Sequence, residues 1–422
     1  MPETRRARDT TWMLTLLVTW ALVFGVGFVA GIFVGRSSIE RPVQVAATPA
    51  PQSAPVQETE PAPAETSPEP APRASVAPPP VNAAPAAVET APAATTAAPT
   101  ATPAPDPSSV WAARHMFIAV NGHDVAEPTR ELLQALRPGG VVLRDVNLRT
   151  TSQTLTLSQS IKRAVGFGTH PSSLPLIAVS QEGGAGNALR LAEAPTARQI
   201  ANDHNAAYAR QLGSAYAAAC LSRGVGVVLG PVLDVYDPTS AFPAFYERSF
   251  GTDQAAVSSL GLAMSDGMKD GGVLPVAKYF PGYGAATYGS DGLSLAINKD
   301  LRELARVLLP FKDAIQRQVP GIVVGHVALP QIDRDAPNRP ASLSPFIMRQ
   351  LLRQQWDYRG VIIVDDIAEA SMNLGRPIDE LAVEALIAGA DAIILLDPNP
   401  NRINAVAEAI AAAVAEGRIN GD

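Results

Sequence analysis

Three apolar runs in this chain end in residues able to do chemistry. Leu274-Pro-Val-Ala277 runs into Lys278, Gly321-Ile-Val-Val324 is followed closely by His326, and Gly360-Val-Ile-Ile-Val364 leads to Asp365-Asp366. After Lys278 come a Pro-Gly turn and a polar, Gly-rich loop that reaches Gly292. When strands alternate with helices in a barrel, the carboxyl ends of the strands and the loops behind them hold the reacting groups. A lysine at such an end is a fixed cationic donor or an ion-pair partner. An aspartate there either faces a ligand or caps the next helix. A lone histidine is equally a site member or a satisfied structural residue. No His/Asp/Glu cluster has metal-ligand spacing, so neither a metal nor another cofactor is expected.

The elements that must hold these residues are legible from Ser108 onward. Candidate strands are His115–Asn121, Gly140–Leu143, Leu174–Val179, Gly226–Leu229, Leu274–Ala277, Gly321–Val324, Gly360–Val364 and Asp391–Leu396. Amphipathic or Ala-rich segments separate them, such as Thr129–Leu136, Thr196–Ser222, Gln254–Asp270, Lys299–Gln318, Pro345–Gln355 and Ile378–Ala388. Eight strands alternating with helices predict an α/β fold of the (β/α)8, TIM-barrel type over residues 108–422, with a doubly wound open sheet as the alternative. No Gly-x-Gly-x-x-Gly follows the first strand, so nothing supports a dinucleotide site. The single cysteine, Cys220, cannot form an internal disulfide, and its Ala-rich surroundings predict a buried structural thiol. A net charge of -7 argues against a nucleic-acid partner.

The first quarter of the chain reads differently. Residues 1–11 are polar, with Arg5, Arg6 and Arg8, and residues 12–34 contain no charge. That run is long enough to cross a hydrocarbon core of about 30 Å as one transmembrane signal anchor, with a cleaved signal peptide as the alternative. The preceding arginines predict a cytoplasmic N-terminus and a single pass through the inner membrane, with the barrel on the extracytoplasmic, periplasmic side. Gly27, Gly31 and Gly35 repeat every four residues, a pattern that suits a helix pair and hence a homodimer. Residues 35–107 are dominated by Pro, Ala, Thr, Ser and Glu, so they are expected to form a disordered linker of up to roughly 200 Å.

A set of motifs between Val110 and Gly421 adds to this reading. In order they are Gly139-Gly-Val-Val-Leu143, Ser180-Gln-Glu-Gly-Gly184, Gly230-Pro-Val-Leu-Asp-Val235, Glu247-Arg-Ser-Phe-Gly251, Lys278-Tyr-Phe-Pro-Gly-Tyr-Gly284, Pro340-Ala-Ser-Leu-Ser344 and Gly360-Val-Ile-Ile-Val-Asp-Asp366. Together they resemble the N-terminal catalytic barrel of glycoside hydrolase family 3, especially its bacterial β-N-acetylhexosaminidase branch. The resemblance implies retaining hydrolysis of N-acetylglucosaminides of the cell wall, with peptidoglycan glycan or its fragments as partner. It places Asp365 at the nucleophile position, where a carboxylate forms the glycosyl-enzyme and balances oxocarbenium charge. It places Arg248 and Lys278 among the residues that bind sugar hydroxyls, with Glu182 as a hydrogen-bond hub and His326 at a site-like position. Each cation has an alternative as an ion-pair partner of Asp365 or Glu182.

Departures from the pattern bear on activity. Ser180 stands where the resemblance calls for an aspartate that grips two sugar hydroxyls. Ala188 stands in place of an arginine, and Arg190, two residues on, is out of register. Tyr279 and Tyr283 replace histidines. The Asp-Ser-His triplet that carries the acid/base aligns with Gly289-Ser290-Asp291, so its histidine is missing, and no further domain is expected after the barrel to supply another acid. Protonation of a leaving group is worth about 10²–10⁴-fold in rate. Asp291 can take that role only if its pKa rises by about three units. Two readings therefore stand: a glycosidase with Asp365 as nucleophile and Asp291 or a tyrosine assisting, and an inactive glycan-binding or scaffold barrel.

Overall fold

The computed structural model describes residues 107–166, 174–243, 245–289 and 294–420. The apolar run 12–34 with its three glycines, the Pro/Ala-rich stretch as far as residue 106, and Asp291 all lie outside the described residues. Among the described residues, no helix is long and apolar enough to cross a membrane.

Eight parallel strands close into a barrel. They are β1 (Met116–Ala119), β2 (Gly140–Leu143), β3 (Leu176–Val179), β4 (Val227–Val232), β5 (Leu274–Phe280), β6 (Gly321–Val324), β7 (Val361–Asp366) and β8 (Ala392–Leu395). Each pairs with its sequence neighbours, and β8 pairs with β1, setting Met116 opposite Ile393 and Phe117 opposite Ile394. That closure excludes the open sheet. Every residue of β1, β2, β6 and β8 is buried, because a parallel barrel strand has side chains on one face and helices on the other. Phe117, Val142, Leu229, Val323 and Ile394 belong to the packed interior. Phe117 packs against β2, where a Cβ on Gly140 would come within 2.3 Å of its ring.

The helices begin where short polar side chains can receive their first N–H groups. Thr196 accepts from the Gln199 N–H and the Gln199 side chain answers it, a reciprocal cap at 2.9–3.1 Å. The stretch 196–222 holds two helices, Ala197–Asp203 and Ala206–Leu221. His204 is extended and the Asn205 side chain caps the second helix through the Tyr208 N–H, so a local cap wins over continued helical periodicity. Pro345–Gln355 is helical as expected, but over Phe346–Gln355 it takes the wider π form. Ala206–Leu221 crosses Gln254–Asp270 at two glycines. A Cβ on Gly213 would lie 2.1 Å from the Met264 carbonyl oxygen, and one on Gly267 would lie 1.9 Å from that of Arg210. Cys220 sits in this packing, free and buried, with burial pushing its thiol up to about 12.

Two features at the carboxyl end of the barrel shape the site. β5 continues to Phe280, three residues beyond the predicted end, so Lys278 is an interior strand residue and only 2% exposed. After β3 a small antiparallel hairpin, Gln181–Gly183 with Gly186–Asn187, folds over the barrel mouth.

Candidate active site

Glu182, on that hairpin, is the hub of the barrel mouth. It is buried, and its Oε1 lies 2.6 Å from Lys278 Nζ. Arg248 reaches it from the other side, with Nε donating to Oε2 at 2.7 Å and Nη2 to Oε1 at 2.9 Å. Burial alone would raise the Glu182 carboxyl, but the Lys278 charge and the Arg248 hydrogen bonds hold it at about 2. Burial likewise opposes the Lys278 ammonium, and the Glu182 charge outweighs it, so Lys278 is raised and stays cationic. The ion-pair alternative therefore describes both cations, with Glu182 rather than Asp365 as their partner. Lys278 keeps one donor for Ser180 Oγ at 3.1 Å, and Arg248 Nη2 donates to the Tyr279 hydroxyl at 2.7 Å.

The two aspartates of β7 have different surroundings. Asp366 caps the following helix, Ile367–Leu374, accepting from Ala368 N–H at 3.2 Å and also from Leu396 N–H at 2.9 Å. Its carbonyl oxygen accepts from His326 Nε2 at 3.0 Å. A carbonyl only accepts, so His326 carries its proton on Nε2, and Nδ1 takes the 2.9 Å contact with Ser342 Oγ. His326 also donates its backbone N–H to the Tyr283 hydroxyl at 2.9 Å. His326 and Tyr283 are thus buried and joined by a hydrogen bond, and His326 borders a small separate pocket with Leu295 and Pro340. Asp365 is half-buried, and among the described residues no donor engages its carboxylate.

The β5 loop is pinned by a residue that the sequence reading quoted within a motif but assigned no role. Asp234 is fully buried, and its carboxylate accepts from Tyr279 N–H at 2.8 Å and Gly284 N–H at 3.1 Å. Burial raises its carboxyl to about 6, with those two N–H groups pulling the other way. The Tyr279 ring, so positioned, packs edge-on against Tyr283 and Phe245.

A cavity of about 450 Å³ opens over this arrangement, within the roughly 300–1,000 Å³ of small-molecule sites. Its floor is Val142, Leu229, Val323 and Ile394, one side chain from each even-numbered strand, the layer expected of such a barrel. Ser180, Lys278, Tyr279 and Asp365 line it together, with Ala188, Arg144, Asp145 and Arg190 around them. Arg190, out of register by motif spacing, is therefore at the cavity, because the turn that follows the hairpin, closed by Arg190 N–H to the Asn187 carbonyl, presents it. Arg144 was missed, although a charge directly after the apolar run Gly140–Leu143 is the same signal that singled out Lys278. Among the described residues, no group of three or more His, Cys, Asp or Glu is placed to hold a metal ion.

Comparison with known proteins agrees with this geometry. A β-hexosaminidase of Idiomarina loihiensis is 30% identical over 290 residues, covering 66% of this chain and 83% of that protein. One of Vibrio cholerae is 32% identical over 286 residues, covering 66% of this chain and 82% of that protein. Among solved structures, a glycoside hydrolase family 3 β-N-acetylglucosaminidase from Paenibacillus sp. aligns with TM-score 0.67 and 27% identity, over 74% of this chain and 59% of that one. A β-N-acetylhexosaminidase from Beutenbergia cavernae aligns with TM-score 0.66 and 25% identity, over 74% and 93%. The family model described as the glycosyl hydrolase family 3 N terminal domain matches residues 110–422, the whole barrel with its mouth, and the chain belongs to that family.

Proposed function

We propose that this protein is an envelope-facing β-N-acetylhexosaminidase-type glycosidase, held to the inner membrane by residues 12–34 and directed at N-acetylglucosaminides of peptidoglycan. The observation that carries the reading is the division of labour at the end of β7. Asp366 is consumed as a cap, while Asp365 faces the cavity with no donor on it among the described residues. A carboxylate so placed attacks the anomeric carbon as the glycosidic bond breaks, and water then releases the sugar from Asp365. The leaving oxygen needs a proton. Burial pushes the Tyr279 hydroxyl above its ordinary value, which makes it a poorer acid, and we assign the proton to Asp291. The uncharged run 12–34 with arginines before it supports the anchor.

A second reading, a glycan-binding barrel that does not cut, is favoured by two observations. Glu182 already engages both Lys278 and Arg248, and both ring nitrogens of His326 are occupied. Hydrolysis of an aryl β-N-acetylglucosaminide by the wild type, Asp365→Ala and Asp291→Asn separates the two. The glycosidase reading expects turnover that Asp365→Ala abolishes and that azide, as a replacement nucleophile, restores as glycosyl azide. No turnover by the wild type, with the sugar still bound, would leave the receptor reading.

A further inference from the structure

We infer that the cavity holds a second sugar subsite beyond the N-acetylglucosamine over Asp365, at the O4 end of that sugar, built by Arg144 and Arg190. The protein then takes an N-acetylglucosamine that carries another sugar on O4, so it cuts within a glycan chain as well as at its end. The inference deepens the reading of this cavity as the glycoside site and rests on it. Its first ground is topology. In a closed ring of eight strands, β3 lies four strands from β7 in either direction, so Ser180, directly after β3, stands across the barrel mouth from Asp365. C1 and C4 are opposite corners of a pyranose ring. A ring laid across the mouth with C1 over Asp365 therefore turns its O4 toward Ser180 and the hairpin that follows it.

The wall at that end is made of short side chains. Ser180 is turned to Lys278 Nζ at 3.1 Å. The hairpin adds Ala185, Gly186 and Ala188, none with more than a methyl group. A Cβ on Gly186 would lie 2.9 Å from the Glu182 Cβ, so this strand is packed tightly back on the hub. Asn187 is held within its own segment, its Oδ1 accepting from Gln181 Nε2 at 2.9 Å and from Leu191 N–H at 3.0 Å. On the same side stand Arg144, directly after β2, and Arg190, in the turn after the hairpin. Both line the cavity, and among the described residues neither guanidinium meets a carboxylate, whereas Glu182 holds Lys278 and Arg248. Arg144 is half-buried, and its Nε is buried without an acceptor among the described residues. A buried donor left unmet costs free energy that a ligand oxygen recovers. A guanidinium offers five N–H donors and no acceptor, which suits the hydroxyl and acetamide oxygens of a second sugar.

The test is hydrolysis of an aryl β-N,N′-diacetylchitobioside by the full chain, beside the aryl β-N-acetylglucosaminide. With both sugars inside the cavity, Asp365 displaces the aryl group, water releases the disaccharide from Asp365, and the first products are intact diacetylchitobiose and the phenol. With one sugar inside, the first products are N-acetylglucosamine and the aryl monosaccharide. Diacetylchitobiose is expected first, with kcat/KM for aryl release about 10- to 100-fold above that of the monosaccharide, the worth of hydrogen bonds from a charged donor. Arg144→Gln and Arg190→Gln should each lower that ratio by about 3- to 10-fold. Arg190 is exposed, so its variant reads the contact without a folding penalty. N-acetylglucosamine as the first product would overturn the inference, as would variants that slow both substrates alike. If the aryl monosaccharide is hydrolysed while the chitobioside loses one sugar at a time, only this inference falls. Calorimetric binding of diacetylchitobiose and N-acetylglucosamine to the same proteins covers a barrel that does not cut. If neither substrate is hydrolysed and the disaccharide binds more tightly in an arginine-dependent way, the second subsite stands and the glycosidase reading falls. Equal binding of the two sugars, again without hydrolysis, would overturn both.

Discussion

Replacing Glu182 with glutamine tests the centre of the site. The carboxylate stands between Lys278 and Arg248 and is buried. Glutamine has nearly the same shape but leaves two cations facing each other, and losing one partner of a buried ion pair costs about 3–5 kcal/mol. The wild type also carries a pH signature. The folded carboxyl lies at about 2 against an ordinary 4.5. A depressed carboxyl contributes stability in full above its unfolded value, and that contribution is lost as pH falls through the folded one. The total is about 3 kcal/mol, of which about 2 kcal/mol should vanish between neutral pH and about pH 3. Urea unfolding of both proteins across that range gives the comparison. Glu182→Gln should be less stable at neutral pH by several kcal/mol, and the gap should narrow by about 2 kcal/mol in acid. A loss under about 1 kcal/mol at neutral pH, or a gap unchanged by pH, would refute the hub argument.

Other consequences are equally direct. Asp365→Ala should lower aryl N-acetylglucosaminide turnover by about 10³-fold or more without lowering the melting temperature, since no described donor depends on its carboxylate. Tyr283→Phe removes the acceptor for the buried His326 N–H and should cost about 1–3 kcal/mol in denaturant unfolding, whereas a merely packing role would cost almost nothing. Gly213→Ala forces a methyl against the Met264 carbonyl and should destabilise by about 1–3 kcal/mol or more, while the same change at Gly226, where a Cβ meets nothing within 4 Å, should be close to neutral. Asp234→Asn keeps one accepting oxygen but turns a donor toward either the Tyr279 or the Gly284 N–H, so it should weaken sugar binding along with stability. A calorimetric loss of stability with unchanged binding would show that the pinned loop does not shape the cavity.

Much of this protein was open to reading because its information is local. All eight strands were found from apolar runs, since a strand covered on both faces has no polar residue to break the run. Gln254–Asp270 and Ile378–Ala388 were found with their observed bounds. Errors came where a local cap or a distant charge overrode periodicity. Asn205 split one expected helix into two, and β5 absorbed a lysine because Glu182, distant in sequence, neutralises it. Asp365 was singled out from its place at a strand end, as were Lys278 and His326. That rule does not say which way such a residue faces or what it meets, and both ring nitrogens of His326 meet groups of the protein itself.

The amino-acid sequence alone determined the alternation of strands and helices and the end of the strands where side chains converge, while the pairing of β8 with β1 decided the barrel over the open sheet. Hydrophobic burial is short-ranged along the chain, and periodicity records it. Only the tertiary structure decided which charges meet. Glu182 collects Lys278 and Arg248 from other elements, Asp234 holds a loop 45 residues downstream through the Tyr279 N–H, and Arg144 and Arg190 are left facing the cavity with no described carboxylate partner. Electrostatic partnership depends on distance and burial in space. No spacing within the chain encodes those quantities, so the pairing of these groups, and with it the character of the site, appears only once the barrel closes.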